Sequence, residues 1–126
     1  MHAADTNMLV RLVSRDNSVQ LATARTFVAR GVWASLLVLA ETAWVLQAGY
    51  GFDDHELATA LEMLLNHKGL SVQDADVALN AVALFKKRPA LGFADCLILE
   101  TARKAGHLPL GTFDRELGKI DGARRL

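Results

Sequence analysis

Between Arg30 and Asp53 the chain carries one charge, Glu41, set within Ser35-Leu36-Leu37-Val38-Leu39-Ala40-Glu41-Thr42-Ala43-Trp44-Val45-Leu46. Three more acids share this kind of neighbourhood. Asp5 follows Ala3-Ala4, Asp95 lies between Phe93-Ala94 and Cys96-Leu97-Ile98, and Asp114 follows Leu110-Gly111-Thr112-Phe113. An isolated carboxylate in apolar surroundings is costly, so it is neutralised, paired or bound to a cation. The chain has 14 acids, most of which read as surface or cap residues. These four, two after expected strands and two on expected helices, point to a shared role. Carboxylates without nearby Cys or clustered His select hard cations such as Mg²⁺ or Mn²⁺. Such sites run phosphoryl transfer, in which the metal binds the phosphate, acidifies a water and offsets charge on the leaving oxygen. The expectation is that the fold brings Asp5, Glu41, Asp95 and Asp114 together around a divalent metal.

Other chemistries find no support. His2, His55, His67 and His107 lack metal-ligand spacing and read as surface residues. No glycine-rich phosphate loop with a following Lys is present, and Gly49-x-Gly51 reads as a helix stop. Ser35 lies outside any nucleophile elbow. Cys96 is the only cysteine and reads as a small core residue, with no disulfide framework or thiolate metal site.

A length of 126 residues suits one domain, residues 1–126, with a real core. The hydrophobic fraction of 52% argues against disorder and hints that a partner covers some apolar surface. The formal net charge of +0 supplies no global field for nucleic acid, so any such contact needs local patches. Gly31 to Ala48 is apolar enough to raise a membrane span. Glu41 would then lie near mid-bilayer, at about 2.5–3.5 kcal/mol by analogy with Asp, and no basic cluster flanks one side. A short strand entering a buried helix fits better. With no secretory signal visible and a lone Cys, a cytoplasmic location is expected.

The elements that must position the acids alternate along the chain. His2 to Asp5 reads as a short strand, followed by a helical turn from Met8 to Val13. Asp5 either caps that helix or projects from the carboxyl edge of a parallel sheet. Val19 to Arg30 reads as an amphipathic helix, Val32 to Ala34 as a strand, and Ser35 as the cap of the Glu41 helix. Asp53 or Asp54 caps the next helix, which Gly69 stops. Leu70 to Val72 is the third strand, and Asp74 starts a helix ending in Lys86-Lys87-Arg88-Pro89. That basic run reads either as a solvated terminus suited to the helix dipole or as a phosphate-contacting patch. Phe93 to Ala105 is a helix with Asp95 in its first turn, Leu108 to Thr112 a fourth strand, and Asp114 to Gly118 a short helix. The tail, Lys119 to Leu126, offers one edge strand. The order β-α-α-β-α-α-β-α-α-β-α predicts an α/β fold with a parallel sheet and helices on both faces.

At four places the residues resemble a PIN-domain ribonuclease, most of all the toxin of a VapBC-type toxin–antitoxin pair. The matching segments are Ala4-Asp5-Thr6-Asn7, Ser35 through Glu41, Phe93-Ala94-Asp95-Cys96-Leu97-Ile98, and Thr112-Phe113-Asp114-Arg115-Glu116-Leu117. Each is weak alone; four in order, over nearly the whole chain, are specific. The Leu110-Gly111 and His2-Ala3-Ala4 strands depart mildly from the usual pattern, without touching the acids. The resemblance implies a three-layer α/β/α fold with a short-stranded central parallel sheet. It implies a metal-dependent endoribonuclease for single-stranded or looped RNA, leaving a 5′-phosphate and a 3′-hydroxyl. Asp5, Asp95 and Asp114 would hold Mg²⁺ or Mn²⁺, with Glu41 completing the pocket, and Thr6, Asn7 and Thr112 would orient carboxylates. Arg11, Arg15, Arg115, Lys86, Lys87 and Arg88 are candidates for RNA backbone contacts. A homodimer and a cognate VapB-type antitoxin are implied as partners. Leu37, Trp44 and Val45 suit an interface, or a helix buried on all sides by its own domain.

Two other classes fit the residues less well. A receiver-like phosphoacceptor domain also uses an acidic pocket with Mg²⁺, but Asp5 has no acidic neighbour and no Lys follows a strand suitably. A catalytically silent PIN-like binding module is disfavoured by the four intact acids.

Overall fold

The computed structural model describes residues 1–126, which divide into two compact units, Met1–Ala75 and Asp76–Leu126. The first unit contains β1 (His2–Ala3), α1 (Thr6–Ser14), α2 (Ser18–Ala29), β2 (Val32–Ala34), α3 (Leu36–Tyr50), α4 (Asp54–Leu65) and β3 (Leu70–Val72). Its sheet runs β1-β2-β3, parallel throughout. Val32 faces His2 on one side and Leu70 on the other, and Trp33 faces Ala3 and Ser71. Val32 and Ala34 are buried on one face, whereas Trp33 between them is 40% exposed. Helices flank the sheet, α2 against β2 and α4 against β3, while α1 packs on α2 and α3.

Local chemistry sets each boundary. Asp5, Asn17, Ser35 and Asp53 accept from backbone N–H groups as helix N-caps, and Asp53 with Glu56 completes a capping box. Gly51 ends α3 at φ 69, where a side chain would be strained. Gly69 answers to a close approach instead: an added Cβ would lie 2.3 Å from the Val28 carbonyl oxygen at the end of α2. Leu9, Val28, Leu39, Leu46, Leu57, Leu61 and Leu64 lose all contact with solvent and form the core of this unit.

The second unit contains α5 (Ala75–Lys87, its first residue lying in unit one), α6 (Phe93–Ala105), β4 (Leu110–Thr112) and β5 (Ala123–Arg125), with 3₁₀ turns at Pro89–Leu91 and Leu117–Lys119. Its core gathers Ala78, Ala81, Phe85, Phe93, Cys96 and Leu99. The Phe85 and Phe93 rings meet edge-on, 6.2 Å apart.

The expected α/β alternation and parallel sheet are present, with four differences. β4 joins the tail strand β5 in a separate two-stranded parallel sheet. It begins at Leu110 rather than Leu108, since Pro109 has no N–H to give a ladder. The short helix expected from Asp114 is a turn leading into the Leu117–Lys119 3₁₀ segment. The first helix starts at Thr6, two residues before the apolar run, because Asp5 caps it. No helix is long and apolar enough to cross a membrane.

Candidate active site

In the first unit Asp5 leaves the carboxyl end of β1 and Ser35 leaves the carboxyl end of β2. The strands are parallel, so both open onto one edge of the sheet, where α/β folds bind ligands. Both sequence readings of Asp5 hold. It stands at that edge, and it caps α1 by accepting the Met8 N–H at 3.1 Å through Oδ1. Thr6, buried beside it, donates its hydroxyl to Glu41 Oε1. One turn of chain thus places Asp5 and the group that orients Glu41. Gln73 stiffens the same edge: its side-chain oxygen accepts the Leu36 N–H at 3.0 Å, and its own N–H reaches the Ala34 carbonyl at 2.9 Å.

Glu41 corrects an expectation. Its apolar sequence surroundings predict burial, yet its side chain is exposed. The buried stripe of α3 is Leu39, Thr42, Ala43 and Leu46, whereas Leu37 and Trp44 remain 78% and 70% exposed. The helix is therefore not buried on all sides by its own domain, and Glu41 shares its open side. Asp5 and Asp114 are exposed as well.

The second unit holds the other two acids. Asp95 lies in the first turn of α6, partly buried, above the fully buried Cys96. Burial raises the Asp95 pKa, and the negative charge of Asp114 raises it further. Asp114 sits just past β4. Its N–H bonds to Thr112 Oγ1 at 3.0 Å, and its Oδ2 accepts the Leu117 N–H at 2.7 Å. Thr112 thus orients the backbone that carries Asp114. The Cys96 thiol is pushed up to about 12 by burial and by the nearby Asp95 and Glu100 charges. It is neither a nucleophile nor a metal ligand at neutral pH.

Each unit contributes two of the four acids. Nowhere are three or more His, Cys, Asp or Glu side chains gathered closely enough to hold a metal ion. The donor chemistry nonetheless suits a hard divalent cation. All the groups are oxygen donors, and the mutual repulsion of Asp95 and Asp114 is what such an ion relieves.

The basic candidates divide. The Arg11 guanidinium is engaged within the chain, bonding Asp16 at 3.1 Å, the Tyr50 hydroxyl at 2.8 Å and Gln20 Oε1. Asp16 also accepts from Ser14 at 2.8 Å and from Tyr50 at 3.1 Å. Arg15 is exposed at the end of α1, with φ 57. Lys86 and Lys87 are exposed in the last turn of α5, followed by exposed Arg88, and Arg115 is exposed beside Asp114. Asn7 is exposed and, like Asp5, lines a cavity beside α1. Sequence reasoning missed Gln20, Phe27 and Gln73 at this edge. None belongs to a local motif, and only the folded chain puts them there.

The family model of the PIN domain matches residues 3–123, so the likeness runs through both units and all four acids. No curated protein and no solved structure matches the chain.

Proposed function

Since the chain belongs to the PIN domain family, whose members are generally nucleases, we propose that it is a metal-dependent endoribonuclease acting on single-stranded or looped RNA. We further propose that residues 1–126 act as one PIN domain, the toxin of a VapBC-type toxin–antitoxin pair. The observation that carries the nuclease reading is the family match over residues 3–123, which takes in Asp5, Glu41, Asp95 and Asp114 in order. Asp5, Asp95 and Asp114 would hold Mg²⁺ or Mn²⁺, with Glu41 completing the set. The cation, when bound, supplies charge neutralisation at the phosphate and an acidified water. The chain's own residues do the positioning. Thr6 fixes the Glu41 carboxylate, the Met8 N–H at the start of α1 holds the Asp5 carboxylate, and Thr112 sets the turn that presents Asp114. Asn7, exposed beside Asp5, is a further orienting group. Arg15, Arg115, Lys86, Lys87 and Arg88 are the groups for the RNA backbone, with Arg11 serving the fold first.

The exposed Leu37 and Trp44 of α3 support a homodimer, and the open apolar surface suits a covering antitoxin. A cytoplasmic setting accords with this role. The test is incubation of the purified protein with single-stranded RNA in Mg²⁺, in Mn²⁺ and in EDTA. Cleavage in metal alone, with 5′-phosphate and 3′-hydroxyl ends, is expected. EDTA-resistant cleavage or 2′,3′-cyclic phosphate ends would overturn the mechanism. Stable labelling by a small phosphodonor would favour the receiver-like alternative.

A further inference from the structure

A cavity of about 560 Å³ opens beside Asp5, lined by residues of β1, α1 and α2. Met8 and Phe27 contribute apolar wall, and the Phe27 ring is braced by His2, with centroids 5.4 Å apart. Asn7, Gln20 and Thr23 contribute polar edges. Two of these edges are already directional. Gln20 Oε1 is taken by Arg11, which leaves the amide NH₂ to donate. The Thr23 hydroxyl donates to the Val19 carbonyl at 3.1 Å, which leaves its oxygen to accept. Arg11 is in turn held by Asp16 and Tyr50, so Gln20 is fixed before any ligand arrives.

An apolar hollow of this size with a few fixed polar groups is the usual form of a site for a flat organic ligand. Unpaired RNA bases are recognised in this way, by contact with an aromatic face and hydrogen bonds to the base edge. A phosphate fits poorly, because Arg11 is committed within the fold and Asp5 repels anions. We propose that this cavity seats one unpaired nucleobase of the RNA, adjacent to the phosphodiester that is cut, and that it sets the base preference of cleavage. The proposal rests on the nuclease reading above, which places Asp5 at the cut.

The test measures binding of short fluorescent single-stranded RNAs in EDTA, with one base at a time replaced by an abasic site. In wild type, one position should weaken binding about fivefold or more when its base is removed, as for the loss of one base–aromatic contact. Thr23→Trp, which fills the cavity from an exposed position on α2, should abolish that sensitivity. If Thr23→Trp melts abnormally, Gln20→Ala decides instead, and it should change which base is preferred at the sensitive position. Absence of any sensitive position in wild type overturns the proposal. So does unchanged RNA binding in both variants. Metal-dependent cleavage is scored in parallel. Cleavage without a sensitive position overturns the base pocket alone; a sensitive position without cleavage in Mg²⁺ overturns the nuclease reading and leaves the cavity as a base-binding site with no part in cleavage.

Discussion

Thr6 donates its hydroxyl to Glu41 Oε1 across 35 residues of sequence, joining the first turn of α1 to the middle of α3. Thr6→Val keeps the shape of this buried side chain and removes the donor. The exposed Glu41 regains water, so stability should fall by only about 1 kcal/mol. Cleavage should fall further, in kcat more than in KM, because Glu41 loses its orientation while RNA contacts persist. Melting and steady-state kinetics check both. Equal losses in kcat and stability-limited protein fraction would show a purely structural role.

Asp95 makes stability depend on pH with a definite sign. Its folded pKa is raised from 3.8, by burial first and by Asp114 second. The folded state therefore holds the proton more tightly than the unfolded state. The associated stability is full below the ordinary carboxylate value and is lost as pH rises through the folded value. In EDTA, Asp95→Asn should melt higher than wild type at about pH 7 and lose that advantage toward about pH 3, where the wild-type carboxyl is protonated. The variant should cleave nothing, the usual trade at a strained functional site. Mg²⁺ or Mn²⁺ should raise the melting temperature of wild type and help the variant less. An Asp95→Asn protein that melts no higher than wild type at neutral pH would contradict the charge coupling.

Cys96 should be inert in the folded protein. It is buried, and its thiol is pushed up to about 12. Iodoacetamide at about pH 8 attacks thiolates, so labelling should appear only after denaturation. Rapid labelling of native protein would show that the start of α6 opens readily.

Trp44 and Leu37 stand exposed on α3, seven residues apart and hence on one side of the helix. Sedimentation at about micromolar concentration, tight enough for a specific complex, should find wild type dimeric and Trp44→Glu monomeric. A monomeric wild type would remove α3 as the dimer face.

The elements were largely legible because caps and stops are local: Asp5, Ser35 and Asp53 announce three helices, and Gly51 and Gly106 end two. Burial was less legible. Nearly every residue of α3 is apolar, so the sequence carries no one-sided pattern to reveal that Glu41 faces outward. The sheet was misjudged at β4, where strands of three residues are too short to declare their partners. Four candidate acids could be picked out through order and motif. The engagement of Arg11 by Tyr50, 39 residues away, could not, because neither residue carries a local sign of the other.

Mn²⁺ titration of the RNA-free protein, followed by calorimetry, tests most directly the claim that Asp95 and Asp114 serve one cation. Asp95→Asn and Asp114→Asn should each weaken Mn²⁺ binding by about tenfold or more, as expected for lost ligands. The double variant should be far less than additive, because the two groups act on one ion. Binding of Mn²⁺ to Asp114→Asn with wild-type affinity and stoichiometry, while Asp95→Asn loses it, would contradict the shared site.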